Sequence, residues 1–295
     1  MAISLGPFKS IIPAEACPLL GYTAIALDTS GGHNIHTDTG FGTGANGRAY
    51  GVSLGDNGNR LYFSSRFLNG DYSTANVSEY TLSTPYDITT AVRIRETDLS
   101  VDFGSFYPEE MSWSKNGEYL YFGCINNIDR KVWSYSLSTA WDISTMTFMS
   151  ATYLPGFPST FVHKNVVVDN DTGLKALYID PISSLRVISL DLSTPWDLTT
   201  ATLSSYSTNT PLFHALFTCS GGGVLNINNT VIDSYKITTP FEAAWESTAS
   251  NTINYDFLTV FLSGIIARFV IDDKLFIIGK DESVLGYHLE KFTLS

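Results

Sequence analysis

The chain has 295 residues, a formal net charge of −12 and a pI near 4.7. Hydrophobic residues make up 44%, aromatics 13% and charged residues only 16%, the reverse of a disordered chain, where charge is high and aromatics are few. Ser and Thr number 64, the Ala/Glu/Lys/Leu bias of a coiled coil is missing, and no apolar run approaches the roughly 20 residues that span a bilayer. Frequent Tyr, Phe, Thr and Gly with scarce Lys and Glu point to strands and tight turns. The acidic balance argues against nucleic-acid partners, which need Lys and Arg for their phosphates, and against an anionic membrane surface. Cys17, Cys124 and Cys219 are an odd, widely spaced set without metal-ligand spacing, so neither a disulfide framework nor a zinc site is expected.

In chain order, residues 1–21 read as an N-terminal extension without the basic start and long apolar stretch of a secretory signal, and 22–295 as a single domain. Tyr22–Leu27 alternates like a strand. A Gly/Thr-rich insertion with His33 and His36 follows over 29–47, and an inner strand is expected over Ala49–Leu54. Asn57-Gly58 then reads as a hairpin turn opening the strand Leu61-Tyr62-Phe63. A third strand ends at Tyr80-Thr81-Leu82 and runs into Ser83-Thr84-Pro85-Tyr86-Asp87-Ile88-Thr89-Thr90-Ala91. Here Pro85 pre-sets a turn, Asp87 can accept turn N–H groups, and the intervening aromatic can wedge between sheets. A second insertion spans Arg95 to Pro108. Both insertions are expected on one face as ligand-displaying loops.

The whole unit then recurs. Leu137-Ser138-Thr139-Ala140-Trp141-Asp142 and Leu192-Ser193-Thr194-Pro195-Trp196-Asp197 follow at spacings of 55 residues, and Ile237-Thr238-Thr239-Pro240-Phe241-Glu242 at 45. Polar-Gly hairpin signals precede each, at Asn116-Gly117, Thr172-Gly173 and Gly221–Gly223, with a fifth at Asp272-Asp273. Four strands per 45–55 residues is the length of a propeller blade. The expected fold is therefore all-β: a β-propeller of five four-stranded blades, with Tyr22–Leu27 completing the fifth. A six-bladed ring using residues 1–45 is the alternative.

The candidate binding residues on the channel and loop face are His33, His36, Arg48, Glu109, Glu110, His163, His214 and Arg268. That set suits an anion or a sugar, and it is not an oxygen cage for a metal. Glycoside hydrolysis needs two carboxylates facing each other, with Asp28, Asp38, Asp102, Glu109 and Glu110 as the candidates. No repeat supplies a matching second acid, and no nucleophile motif occurs, so no catalytic set, metal or cofactor is expected. Asp169–Gly173 is faintly calcium-like but occupies the recurrent hairpin turn. Asn76-Val77-Ser78, Asn170-Asp171-Thr172 and Asn228-Asn229-Thr230 match glycosylation acceptors by chance in an Asn/Ser/Thr-rich chain.

The alternation of Leu-Ser-Thr-Pro-Trp-Asp with Asn-Gly-x-x-Leu-Tyr-Phe resembles a β-propeller repeat family of bacteriophage virion and tail-associated proteins and some bacterial surface proteins. The resemblance covers about 22–295 and departs from the pattern at Ala140 and at Phe241-Glu242. With the missing secretory signal, the acidic Ser/Thr-rich surface and the missing catalytic set, it points to a non-enzymatic virion structural or adsorption protein, made in the host cytoplasm, that displays rigid loops to other virion proteins or to a host surface glycan or receptor. A sugar-binding lectin and a carbohydrate-active enzyme are the alternatives.

Overall fold

A computed structural model describes residues 25–27, 33–34, 48–67, 74–104, 107–125, 131–155, 164–169, 172–180, 186–206, 215–218, 223–227, 231–236, 251–254, 265–271, 274–281 and 286–294. Side chains are described over 51–65, 75–104, 108, 110–123, 131–155, 166–169, 172–178 and 187–206.

Among the described residues two short strands come first, β1 (Ile25–Leu27) and β2 (His33–Asn34). Sheet 1 contains β3 (Arg48–Gly55), β4 (Arg60–Phe67), β5 (Thr74–Leu82) and β6 (Ala91–Asp98), antiparallel and in chain order. A four-residue helix, α1 (Ser100–Phe103), leads into sheet 2, which contains β7 (Tyr107–Trp113), β8 (Tyr119–Ile125), β9 (Lys131–Leu137) and β10 (Met146–Tyr153). Sheet 3 contains β11 (Lys164–Val168), β12 (Lys175–Asp180), β13 (Arg186–Leu192) and β14 (Ala201–Tyr206). Sheet 4 contains β15 (Ala215–Thr218), β16 (Gly223–Ile227), β17 (Val231–Lys236) and β18 (Asn251–Asn254). The last sheet contains β19 (Ile265–Ile271), β20 (Lys274–Asp281) and β21 (Gly286–Leu294), and β1 adds to β21 with Ala26 opposite Thr293. The described residues are thus all-β, in repeated four-stranded antiparallel sheets. The first strand of each sheet lies against that of the next, and β19 lies against β3.

The repeat motif folds through local chemistry. Asp87, Asp142 and Asp197 each accept the N–H two residues on, from Thr89 (3.1 Å), Ser144 (2.9 Å) and Thr199 (2.9 Å), and so cap a short 3-10 turn. The hydroxyls of Thr90, Thr145 and Thr200 donate back to the Asp carbonyls at 2.8 Å. The preceding four residues close on themselves, Asp87 N–H donating to the Thr84 carbonyl at 3.1 Å, with matching bonds at 142 and 197. The third residue of each such turn has positive φ: 63° at Tyr86, 65° at Trp141 and 66° at Trp196. A left-handed aromatic is strained by about 1–2 kcal/mol. Packing offsets that strain. Each of these residues donates its N–H to a glycine carbonyl of the preceding hairpin turn, at Gly58, Gly117 or Gly173, and the ring covers that glycine. A Cβ on Gly117 would sit 2.3 Å from the Trp141 ring.

Aromatic cores join neighbouring sheets. Tyr62, Ala75 and Val77 of sheet 1 pack on Leu120, Phe122, Trp133 and Tyr135 of sheet 2, and Tyr121 and Val132 of sheet 2 on Val166, Val168 and Ile188 of sheet 3. Each buried side chain of this size contributes about 1.5–3 kcal/mol.

The expectation that Arg95–Pro108 is a displayed loop is corrected. β6 continues to Asp98, and Leu99 and Phe103 are buried in the core between sheets 1 and 2. Leu99 N–H donates to the Ala75 carbonyl (2.7 Å), and Phe103 stacks on Trp133 at 4.6 Å. Leu99 and Phe103 turn inward while Val101 between them stays exposed, so only part of the segment is drawn into the core.

Candidate functional site

The first strands of four of the sheets share one irregularity. The register slips between Ala49 and Gly51 in β3, Pro108 and Met111 in β7, Lys164 and Val166 in β11, and Ile265 and Ala267 in β19. Each slip is an extra residue near the strand's beginning, so four of the first strands bulge at the same level. Bulges re-aim side chains and cluster beside functional sites. Of the expected site residues, Arg48 opens β3, Glu109 and Glu110 sit in the β7 bulge, and Arg268 lies in β19. Lys164, which was not singled out from the sequence, flanks the β11 bulge. Its signal was a cation at the start of an inner strand in a chain poor in charge. Glu110 is half-buried, and its Oε2 is shut off from solvent.

The structure separates His33 from this group. β2 pairs with β21, placing His33 opposite Leu289 beyond β20 and β21, about 14 Å of strand spacing from β19. His36, His163 and His214 lie outside the described residues, as do Pro240 and the fourth copy of the turn.

Most other described carboxylates serve the scaffold. Asp87, Asp142 and Asp197 cap turns. Asp102, a hydrolase candidate, accepts the Tyr135 hydroxyl at 2.9 Å, while its carbonyl accepts the Trp133 indole N–H at 3.1 Å. Burial and this carboxylate push the Tyr135 phenol well above its ordinary range. Asp169 accepts from the Thr172 hydroxyl inside a hairpin turn, the scaffold role favoured over calcium binding. Asn76 is buried in β5, which closes that glycosylation acceptor. Among the described residues no group of three metal-ligating side chains occurs, and no helix is long and apolar enough to cross a membrane.

Sequence reasoning missed the most charged interior position among the described residues. Glu79 is fully buried and accepts from Arg60, from Arg95 Nε (3.3 Å) and from the Ile143 N–H (3.3 Å). Arg95 reaches on to Asp142 and to Ser144 Oγ (2.5 Å). Burial raises the Glu79 pKa, with the two arginines offsetting part of the shift. The Ser144 hydroxyl, and then Arg95, hold Asp142 below the usual carboxylate range. The available signal was a Glu in a strand where the other repeats carry Ser134 and Ser189.

No protein-family model matches the chain, and no curated protein does. Similar solved structures include the periplasmic gluconolactonase of Pseudomonas aeruginosa, at 12% identity over 82% of this chain and 71% of that one, TM-score 0.47. A 6-phosphogluconolactonase candidate from Bacteroides uniformis aligns at 15% identity over 72% of this chain, TM-score 0.44, and this chain spans 56% of its length. The β-propeller domain of Myceliophteria thermophila Cps50 (Swd1) aligns at 13% identity over 80% and 65% of the two chains, TM-score 0.39. These findings correct the expectation of a non-enzymatic virion structural or adsorption protein. The similar structures named here include lactonases, enzymes by name, and none is a virion protein. At TM-scores below 0.5 the likeness assigns no activity to this chain.

Proposed function

We propose that the sheets close into a five-bladed propeller and that the chain binds a small polar ligand at the end of the axis where the innermost strands begin. The observation that carries this reading is the recurrence of the inner-strand bulge beside Arg48, Glu109, Glu110 and Lys164. Cations on two of these strands and carboxylates on a third suit a ligand with both an acidic group and hydroxyls. Contact of β19 with β3 and pairing of β1 with β21 support closure.

Isothermal titration with neutral hexoses, sugar acids and sugar lactones tests the site. A sugar acid or lactone binds, and Glu110→Gln weakens it about tenfold, equivalent to about 1.4 kcal/mol. Acid release from the lactone marks turnover there. No heat with any compound overturns the ligand reading. Hydrogen exchange tests closure: amides 25–27 exchange as slowly as those of β9, and rapid exchange overturns it.

A further inference from the structure

Two neighbouring seams differ in chemistry. Glu79 and Arg95 stand directly opposite each other across β5 and β6, where sheet 2 pairs Ser134 with Ser150 and sheet 3 pairs Ser189 with Ser205. From sheet 1 this pair reaches the Asp142 turn of sheet 2 through Arg95 and the Ile143 N–H. At the register position of Arg60, sheet 2 has Tyr119, which stacks on Trp196 of sheet 3 at 5.4 Å and 9°. The receiving faces differ as well. Trp113 of β7 packs on Tyr62 at 4.6 Å and on Trp141 at 5.1 Å, whereas the matching place in β11 is Val168.

We propose that Glu79, Arg95 and Trp113 form an order device, making sheet 2 the neighbour that sheet 1 accepts. Sheets built from near-identical repeats can dock in the wrong order or exchange between chains. A fully buried carboxylate restricts that choice, because its neighbour must bring an N–H and a turn that engages Arg95. In the fourth repeat Glu242 stands at the Asp142 position, the same charge on a side chain one methylene longer that does not suit the two-residue cap. The third repeat offers Asp197 and Leu198, but Val168 in place of Trp113 leaves a void beside Tyr62. Side-chain length disfavours one neighbour and bulk the other. Stability is a poor account of the pair, since desolvation offsets most of the attraction between buried ions, whereas setting registry is their best-attested use. The inference stands on sheets 1 to 3 and is independent of the ligand reading.

Glu79→Ser/Arg95→Ser gives sheet 1 the serine pair of its neighbours. After refolding from urea, its monomer melts within a few degrees of the parent. Monomer recovery falls about twofold or more, and the missing mass elutes as dimers and larger exchanged species. Trp113→Val deepens that loss. Arg95→Ser alone lowers the melting temperature, and adding Glu79→Ser restores it. Monomer recovery equal to the parent's overturns the proposal. So does a double variant that fails to fold, because a device that only sets order is not needed for folding. An unchanged melting temperature in Arg95→Ser overturns it too.

Discussion

Tyr62 Oη donates to the carbonyl oxygen of Trp141 at 2.6 Å, and Tyr121 repeats the bond one sheet later, on Trp196 at 3.0 Å. Both acceptors are left-handed residues of the repeat turn. A tyrosine from the Leu-Tyr-Phe strand of one sheet thus holds the strained turn of the next. Burial raises the pKa of both phenols well above the ordinary tyrosine range, so they remain donors at any working pH.

Removing either hydroxyl leaves the carbonyl to find another donor in a tight seam. Tyr62→Phe and Tyr121→Phe each lower stability by about 1–2 kcal/mol. Urea unfolding checks this, with the midpoint falling at unchanged slope if only the bond is lost.

Ala140 occupies the turn position that Pro85 and Pro195 fill in the other copies. It is exposed, and the structure shows no backbone bond from its N–H. Ala140→Pro restricts the unfolded chain without disturbing the fold and stabilises it by about 0.4–1 kcal/mol. A rise in melting temperature checks it, and a fall shows that this turn differs from its copies.

Asp142 and Asp197 cap identical turns, but only Asp142 receives Arg95. Asp197→Ala therefore costs about 1 kcal/mol, the usual loss of a cap. Asp142→Ala costs more, because Arg95 loses its outer partner in the Glu79 cluster. Adding Arg95→Ser narrows the difference in a double-mutant cycle, with stability as the readout.

Glu79 and Asp142 respond to acid with opposite signs. The Glu79 pKa is raised on folding, so its contribution is fully present below the ordinary carboxylate range and is lost as pH rises through the raised value. The Asp142 pKa is lowered, so its contribution is present above the ordinary range and is lost as pH falls through the depressed value. The stability of the parent relative to Glu79→Gln therefore rises as pH falls from neutral toward the ordinary carboxylate range. Denaturation of both proteins over that window checks the sign.

The repeat, the four-stranded unit, the hairpin turns, and the Asp cap with its aromatic neighbour are all legible along the chain. Those features are local: Asp197 reaches an N–H two residues away, and Pro195 fixes its own φ. Equally legible is the place of Arg48, Glu109, Glu110 and Arg268 on the first strand of a sheet, because a strand's order within its unit follows from the repeat. Tertiary structure alone decided that Glu79 lies buried at the foot of Asp142, that Phe103 turns a supposed loop into core, and that His33 sits on an outer strand. Each of these depends on which faces of distant strands meet. Register and sheet twist set those contacts, and no spacing along the chain encodes them.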